Sequence, residues 1–285
     1  MDAFRPPSQA DESMTSHASI ESVVARFERQ AALHAARPAI RARQDSLTYD
    51  ALNTLANQIA RAILNVRPAE PEPVILLLDH GARIPAAMLG VLKARKFFVP
   101  LDPVNPPARL LTMIQDSGAS LLITDNNTLP VAEQVMNSGL STVLNLDELA
   151  DLPGDNIGLT ISPDAPAFRY YTTGTTGQPK GVTTTHFQAA DAALDNARLL
   201  RVTHADRFSH VFSFSFAASR KVLLDALLNG ASVSALDVRR EGFAGLARWL
   251  ADEAITIHCS TPSLFRHFAA TLDDETIDLL YKSAP

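Results

Sequence analysis

The chain has 285 residues, 46% hydrophobic and 20% charged, which is the composition of a globular chain with apolar material for one large domain or two modest ones. A formal net charge of -6 with scattered Lys and Arg leaves no basic face for nucleic acid or an anionic membrane. The single cysteine, Cys259, cannot form an internal disulfide and suits a reducing compartment.

Residues 1–19 carry Pro6-Pro7, several Ser and acidic residues and no apolar run, which reads as a loose leader rather than a signal peptide. Ile20 to Leu33 is patterned as a helix, with Val23, Val24, Phe27 and Ala31 on one face. Ala39 to Ala42 reads as a short strand. Thr48 then precedes a stronger helix in which Leu52, Leu55, Ala56, Ile59 and Ile63 recur at helical spacing. The prolines between Pro68 and Pro73 mark a loop, and Val74 to Leu78 is the continuous apolar run of a buried parallel strand. That run is also the longest strongly apolar stretch, far too short to span a bilayer, so a cytoplasmic protein is expected.

Strands and helices then alternate. A helix is expected over Ile84–Ala94, a strand over Phe97–Val99 closed by Pro100, and a helix from Pro106-Pro107 to Asp116. Ser120–Thr124 reads as a strand, Val131–Asn137 as a helix and Ser141–Leu144 as a strand. Beyond residue 160, Ala167–Tyr171 is a strand entering a Gly/Thr loop, and His186–Leu200 is a helix. Arg207–Phe214 is strand-like, Val222–Leu228 helical and Ala231–Ala235 a strand. Phe243–Glu253 is an amphipathic helix with Trp249 in the core, and Ile255–Cys259 is a strand ending at Thr261-Pro262, where a helix begins. Such alternation predicts an α/β fold of mostly parallel sheets flanked by helices. Cys259 reads as a small core residue, Arg239-Arg240 as solvated surface and Asp273–Glu275 as an exposed turn. His204, Asp206 and His258 lack the spacing of metal ligands.

The most informative segment is Tyr170-Tyr-Thr-Thr-Gly-Thr-Thr-Gly-Gln-Pro-Lys-Gly181. Glycines at 174, 177 and 181 let the backbone turn and approach a ligand, while the hydroxyls of Thr172, Thr173, Thr175 and Thr176 and the charge of Lys180 suit a polyphosphate. It is not a GxxxxGK[ST] loop, because Pro179 stands where the second glycine is needed and Gly181 follows Lys180. Nor do its glycines have dinucleotide-fingerprint spacing.

The segment resembles the YTSGTTGxPKG signature of the adenylate-forming superfamily, with Thr173 in place of the serine. That superfamily includes acyl-CoA synthetases, luciferases and the adenylation domains of nonribosomal peptide synthetases. Leu47-Thr-Tyr-Asp-Ala-Leu52 resembles its LTYxEL motif, and Leu92-Lys-Ala-Arg-Lys-Phe-Phe-Val-Pro-Leu-Asp-Pro103 its LKAGxAYVPLDP motif. Arg109 matches the trailing PxxR arginine, and Gly181-Val182 with His186 the GV…H ending. The detailed wording is nearest to the peptide-synthetase adenylation domains.

The resemblance implies the layered fold of that superfamily's large N-terminal domain. It also implies attack of a small carboxylic acid on the α-phosphate of ATP, release of pyrophosphate, and transfer of the acyl group to a thiol. Thr172, Thr173, Gly174, Thr175, Thr176, Gly177 and Lys180 would bind the ATP phosphates. Mg2+ would be held mainly through those phosphates. CoA or a phosphopantetheinyl carrier would accept the acyl group, with a carrier protein as partner. Phe216, Ala217, Ala218 and Lys221 would face the acyl pocket. Phe214-Ser-Phe-Ala-Ala-Ser219 stands where amino-acid activators have a motif like SFDAS, with Ala217 replacing the aspartate that pairs with the substrate ammonium. A substrate other than an ordinary α-amino acid is therefore expected; an amino acid held by another acid is the alternative. Lys221 either meets a second polar group of the substrate or faces water. Arg95 replaces the usual glycine of its motif.

The YGPTE-like segment, the ribose-binding aspartate and the small C-terminal domain with its lysine find no match, and Asp278–Pro285 does not resemble the expected glycine-rich continuation. The expectation is an incomplete large domain over 20–285, with subdomains of about 20–160 and 161–285 and the small C-terminal domain absent. No catalytic residue is assigned within it. The alternative reading is a non-catalytic remnant acting as a nucleotide-binding or protein-interaction module.

Overall fold

The computed structural model describes residues 21–42, 45–136, 139–173, 179–243 and 245–283. Helix α1 (Val23–Leu33) starts at Ser22, whose hydroxyl accepts a bond from Ala25 N at 3.2 Å. It is followed by β1 (Pro38–Arg41), β2 (Ser46–Thr48) and α2 (Tyr49–Val66), which Thr48 caps. Next come β3 (Pro73–Leu76), α3 (Arg83–Lys93), β4 (Phe97–Pro100), α4 (Pro107–Ser117), β5 (Leu121–Thr124), α5 (Leu129–Val135) and β6 (Thr142–Asn145). The hairpin of β7 (Pro166–Thr173) and β8 (Pro179–Thr185) leads into α6 (His186–Leu200), held by a reciprocal Thr185/Gln188 capping box. The remaining elements are β9 (Arg207–His210), α7 (Ala217–Leu227), β10 (Ser232–Ala235), α8 (Val238–Glu241), α9 (Leu246–Asp252), β11 (Ile257–His258), α10 (Pro262–Ala269) and α11 (Asp274–Ser283).

The strands form two sheets. One has the order β6-β5-β3-β4-β7-β8, parallel except at the β7–β8 edge; the other has the order β11-β9-β10-β1-β2, parallel except at β1–β2. Both sheets draw strands from both sides of residue 160, so a boundary there does not separate one sheet from the other.

Alternation along β3 shows why its sequence is apolar throughout. Val74 and Leu76 enter the core shared with α1, α2, α3, α6 and α7, while Ile75 enters the core shared with α4 and α5. A strand covered on both faces cannot show a polar side. The first core also takes Ile40, Phe208 and Val233 from the other sheet, so those five helices fill the space between the sheets. A third core gathers Leu246, Leu250 and Phe268 from α9 and α10 with Val211 and Leu236.

Two backbone positions explain local sequence choices. At Gly90 of α3 an added Cβ would lie 2.7 Å from Ile59 Cγ2 and 2.9 Å from Ala56 O, so glycine lets α3 meet α2 closely. Arg95 holds the left-handed conformation at φ 62°, so the turn keeps a glycine-like backbone despite its side chain. Replacing Arg95 by Gly removes the Cβ strain but adds unfolded-chain entropy, and a net gain of about 0.5–1 kcal/mol is expected as a higher urea midpoint. An unchanged or lower midpoint would show that the turn carries no such strain.

Several sequence expectations are corrected. The strands β2 and β8 and the four-residue α8 were not foreseen, being short, polar or both. The Asp273–Glu275 turn is the start of α11: the Asp273 carboxylate accepts Thr276 N at 2.9 Å as a helix cap does. Strand β9 ends at His210 rather than Phe214 because the chain turns at Ser213, whose carbonyl accepts Phe216 N at 2.9 Å. Among the described residues, no helix is long and apolar enough to cross a membrane.

Candidate functional site

In open parallel sheets, ligand sites gather at the carboxyl ends of strands, where side chains from successive loops converge. Here the carboxyl end of β4 gives Pro100, Leu101 and Asp102, and the first turn of α4 adds Arg109. The end of β7 adds Tyr171 and Thr172, the turn before α7 adds Ser213, Ser215 and Phe216, and the first residue of α7 adds Ala217. Together with Asn105 and Met113 they line a cleft of about 490 Å³. Thr172 from the expected phosphate loop thus meets Phe216 and Ala217 from the expected acyl pocket in one cavity.

The expected phosphate loop is carried by the β7–β8 hairpin, in which Thr172 pairs with Lys180 and Thr173 with Pro179. Thr172 and Lys180 are exposed. Gly174, Thr175, Thr176, Gly177 and the Thr173 side chain lie outside the described residues. Gly181 has a different reason from the one expected. It lies within β8, where a Cβ would come within 2.9 Å of Arg169 Cδ, so it makes room for a cross-strand neighbour rather than for a ligand. The hairpin is anchored beneath: Tyr170 is buried and its hydroxyl donates to Phe214 O at 3.3 Å, while the Tyr171 hydroxyl bonds Asp116 Oδ2 at 2.6 Å. Burial, followed by the adjacent Asp116, pushes the Tyr171 hydroxyl above its ordinary pKa.

Asp102 forms one wall of the cleft with its carboxylate already engaged. Ser213 Oγ donates to Oδ2 at 2.6 Å and Arg239 Nη1 at 2.8 Å. Arg239 and Arg240 are therefore more than solvated surface. They tie α8 to the ends of β4 and β3 through Asp102 and through Asp79 at 2.7 Å, and both also pair with Asp237 at the start of α8. A smaller cavity of about 220 Å³ lies behind the same wall, between His80, Phe214 and these ion pairs. Deeper still, His210 stacks on Phe214 at 4.2 Å and bonds Ser219 Oγ at 2.6 Å. Burial, with nearby His80, pushes its pKa down to about 3.

The other pocket candidates separate. Phe216 is 48% exposed and stands 5.8 Å from the Phe212 ring, over the cleft. Ala218 packs on the central core. Lys221 lies one turn further along α7, outside the cleft lining, and pairs with Asp225 Oδ2 at 2.7 Å. Asp225 is buried, and burial raises its pKa against the lowering by Lys221. Cys259 is half-buried with both charges nearby, and burial raises its thiol pKa, so it carries no activated thiolate.

Asp102 and Arg109 were quoted within sequence motifs without a role. Their place after a buried parallel strand was the signal that could have marked them as cleft residues.

Comparison with known proteins gives a consistent answer. The family described as AMP-binding enzyme matches residues 27–283. Surfactin synthase subunit 1 of Bacillus subtilis (strain 168) is 30% identical over 268 residues, which is 92% of this chain and 7% of that protein. The AMPPNP-bound form of the nonribosomal peptide synthetase FmoA3 superposes with a TM-score of 0.79 at 26% identity, covering 91% of this chain and 28% of that one. The inhibitor-bound N-terminal domain of FACL13 from Mycobacterium tuberculosis superposes with a TM-score of 0.81 at 20% identity, covering 91% of this chain and 67% of that domain. The chain therefore spans a small part of the peptide synthetases it matches.

Proposed function

This chain belongs to the AMP-binding enzyme family, and from that premise we propose that it takes part in activating a carboxylic acid as an acyl-adenylate. The carrying observation is the single cleft that joins Thr172 at the base of the phosphate loop to Phe216 and Ala217. In the proposed reaction a carboxylate oxygen attacks the α-phosphorus of ATP, the bond to the bridging oxygen of the β-phosphate breaks, and pyrophosphate leaves. Thr172, Thr173, Gly174, Thr175, Thr176, Gly177 and Lys180 would grip the β- and γ-phosphates. The lysine charge offsets the negative charge that grows on the leaving group. Mg2+ would be held mainly through those phosphates, as suits an ion that keeps few protein ligands. A thiol of CoA or of a phosphopantetheinyl carrier then attacks the adenylate carbonyl and releases AMP.

The cleft also supports a substrate without an α-ammonium. Ala217 has no carboxylate, and among the described residues lining the cleft the only acid is Asp102, already paired with Arg239 and Ser213. A buried ammonium without a free counter-charge is strongly disfavoured. Hydroxy, keto, aryl or fatty acids fit this wall better.

The test is thermal unfolding with and without Mg-ATP, beside Lys180→Ala, followed by pyrophosphate exchange. A ligand bound only by the folded state at a hundred times its dissociation constant adds about 2.7 kcal/mol. The expected result is a rise in Tm that the variant loses. A rise retained by Lys180→Ala removes that lysine from the phosphate site. A rise without pyrophosphate exchange leaves nucleotide binding without chemistry.

A further inference from the structure

Arg109 has no role in the function proposed above, yet it is placed unlike the other cations of this fold. It sits in the first turn of α4, and its side chain lines the cleft beside Asn105, Met113, Tyr171 and Thr172. Its Nε is buried without a hydrogen-bond partner, and no described residue forms an ion pair with its guanidinium. Other enclosed cations reach protein partners: Lys96 reaches Pro68 O, Glu70 O and Glu72, Arg26 reaches Leu228 O and Asn229, and Arg67, whose Nε is also unbonded, reaches Ser120 O and Thr142 through Nη2. The carboxylate of the cleft lining and that of α4 are committed elsewhere, Asp102 to Ser213 and Arg239 and Asp116 to the Tyr171 hydroxyl.

An unpaired buried guanidinium donor is costly, and a fold keeps it where a ligand supplies the acceptor. The planar fork of donors matches two oxygens of one phosphate or carboxylate. Its neighbours choose between these anions. Tyr171, whose hydroxyl bonds Met113 O and Asp116 of the same helix α4, leads with Thr172 directly into the expected phosphate loop, whereas Phe216 caps α7 and Ala217 opens it. We infer that Arg109 is a second phosphate-recognition residue of the cleft, binding the terminal phosphates of the nucleotide and the pyrophosphate formed from them. This rests on the adenylate-forming reading and adds a residue to it.

Such a residue serves binding and not folding, and the two can be measured separately. In the full chain, Arg109→Met removes the unpaired donor and keeps the apolar stem, so unfolding without ligand should occur at an equal or higher urea midpoint. Calorimetric titration with Mg-pyrophosphate should weaken by about 10- to 100-fold, the loss expected for a charge-assisted pair. Mg-ATP should weaken alike, AMP should bind as before, and Arg109→Lys should recover part of the pyrophosphate affinity. Three results would overturn the inference: unchanged pyrophosphate binding in Arg109→Met, equal weakening of AMP, or a lowered midpoint with binding intact. The companion Lys180→Ala separates the two levels. If wild type binds pyrophosphate and loses it in Lys180→Ala but not in Arg109→Met, only the role of Arg109 fails. If wild type binds none of the three ligands, the adenylate-forming reading fails and this inference with it.

Discussion

Lowering the pH from 7 to 5 is expected to remove about 4 kcal/mol of folding stability, about 2 kcal/mol from each of two buried histidines. His186 is 1% exposed and His210 0% exposed, and each has an unbonded Nδ1. Burial holds His186 down to about 4 and His210 to about 3, so neither imidazole accepts a proton in the folded chain at pH 5. In the unfolded chain both titrate near the ordinary value of about 6.5. Between those limits the unfolded state binds more protons, and mass action draws the chain toward it as the pH falls. The stabilisation is present above about pH 6.5 and declines below it by up to about 1.4 kcal/mol per pH unit for each histidine. His34, His80 and His258 are lowered in the same direction, chiefly by burial.

Urea unfolding at pH 7 and pH 5 measures this loss directly. His186→Gln and His210→Gln should each remove about 2 kcal/mol of the loss between pH 7 and pH 5, whatever they cost at pH 7. The reading fails if both variants keep the wild-type slope. Because His210 stacks on Phe214 beside the cleft, acid unfolding and loss of ligand binding should begin together.

Replacement of Lys93 by Ala is expected to cost about 3 kcal/mol, the lower end for breaking a buried ion pair by removing one partner. Lys93 is 1% exposed in α3, and its ammonium pairs with Glu28 of α1 and reaches Asn156 Oδ1 at 3.4 Å. Burial lowers the lysine pKa, and the bond and charge of Glu28 oppose that lowering. Glu28 keeps a 24% exposed side chain, so water relieves part of its charge once the lysine is gone. That exposure places the cost near 3 rather than 5 kcal/mol. Lys93→Met keeps the stem packed and should cost less, and pairing it with Glu28→Gln should recover more still. Urea midpoints of the three variants give the comparison. A loss below about 1 kcal/mol in Lys93→Ala, the range of an exposed pair, would mean that the pair does not join α1 to α3.

Both lysines of the Leu92–Pro103 motif prove to be internal. Lys93 holds α1, and Lys96 bonds the carbonyls of the proline loop at Pro68 and Glu70. A motif read along the chain does not distinguish such a strut from a ligand contact, since both keep the same residue type. Arg109 and Asp102 show the opposite case. They too were motif letters, yet the fold turns them into a cleft, where one is engaged and the other carries an unbonded Nε.

What the sequence determined by itself was whatever depends on neighbours a few residues apart. The helix starts at Thr48 and Thr261, the apolar runs of β3 and β5, and the helical stripes of α1 and α2 are local, and they suffice for an α/β reading. The Thr/Gly/Lys loop was legible for the same reason, because its glycines, hydroxyls and cation lie within one short segment. Tertiary structure alone decided that β1 joins β10 almost two hundred positions away, since strand pairing at long range leaves no periodic trace along one strand. It also decided that Thr172 and Phe216 share a cleft, that Lys221 lies outside it, and that Arg109 keeps an unbonded Nε. Those distinctions rest on which partners reach a side chain in three dimensions, and a residue's type and spacing do not encode them.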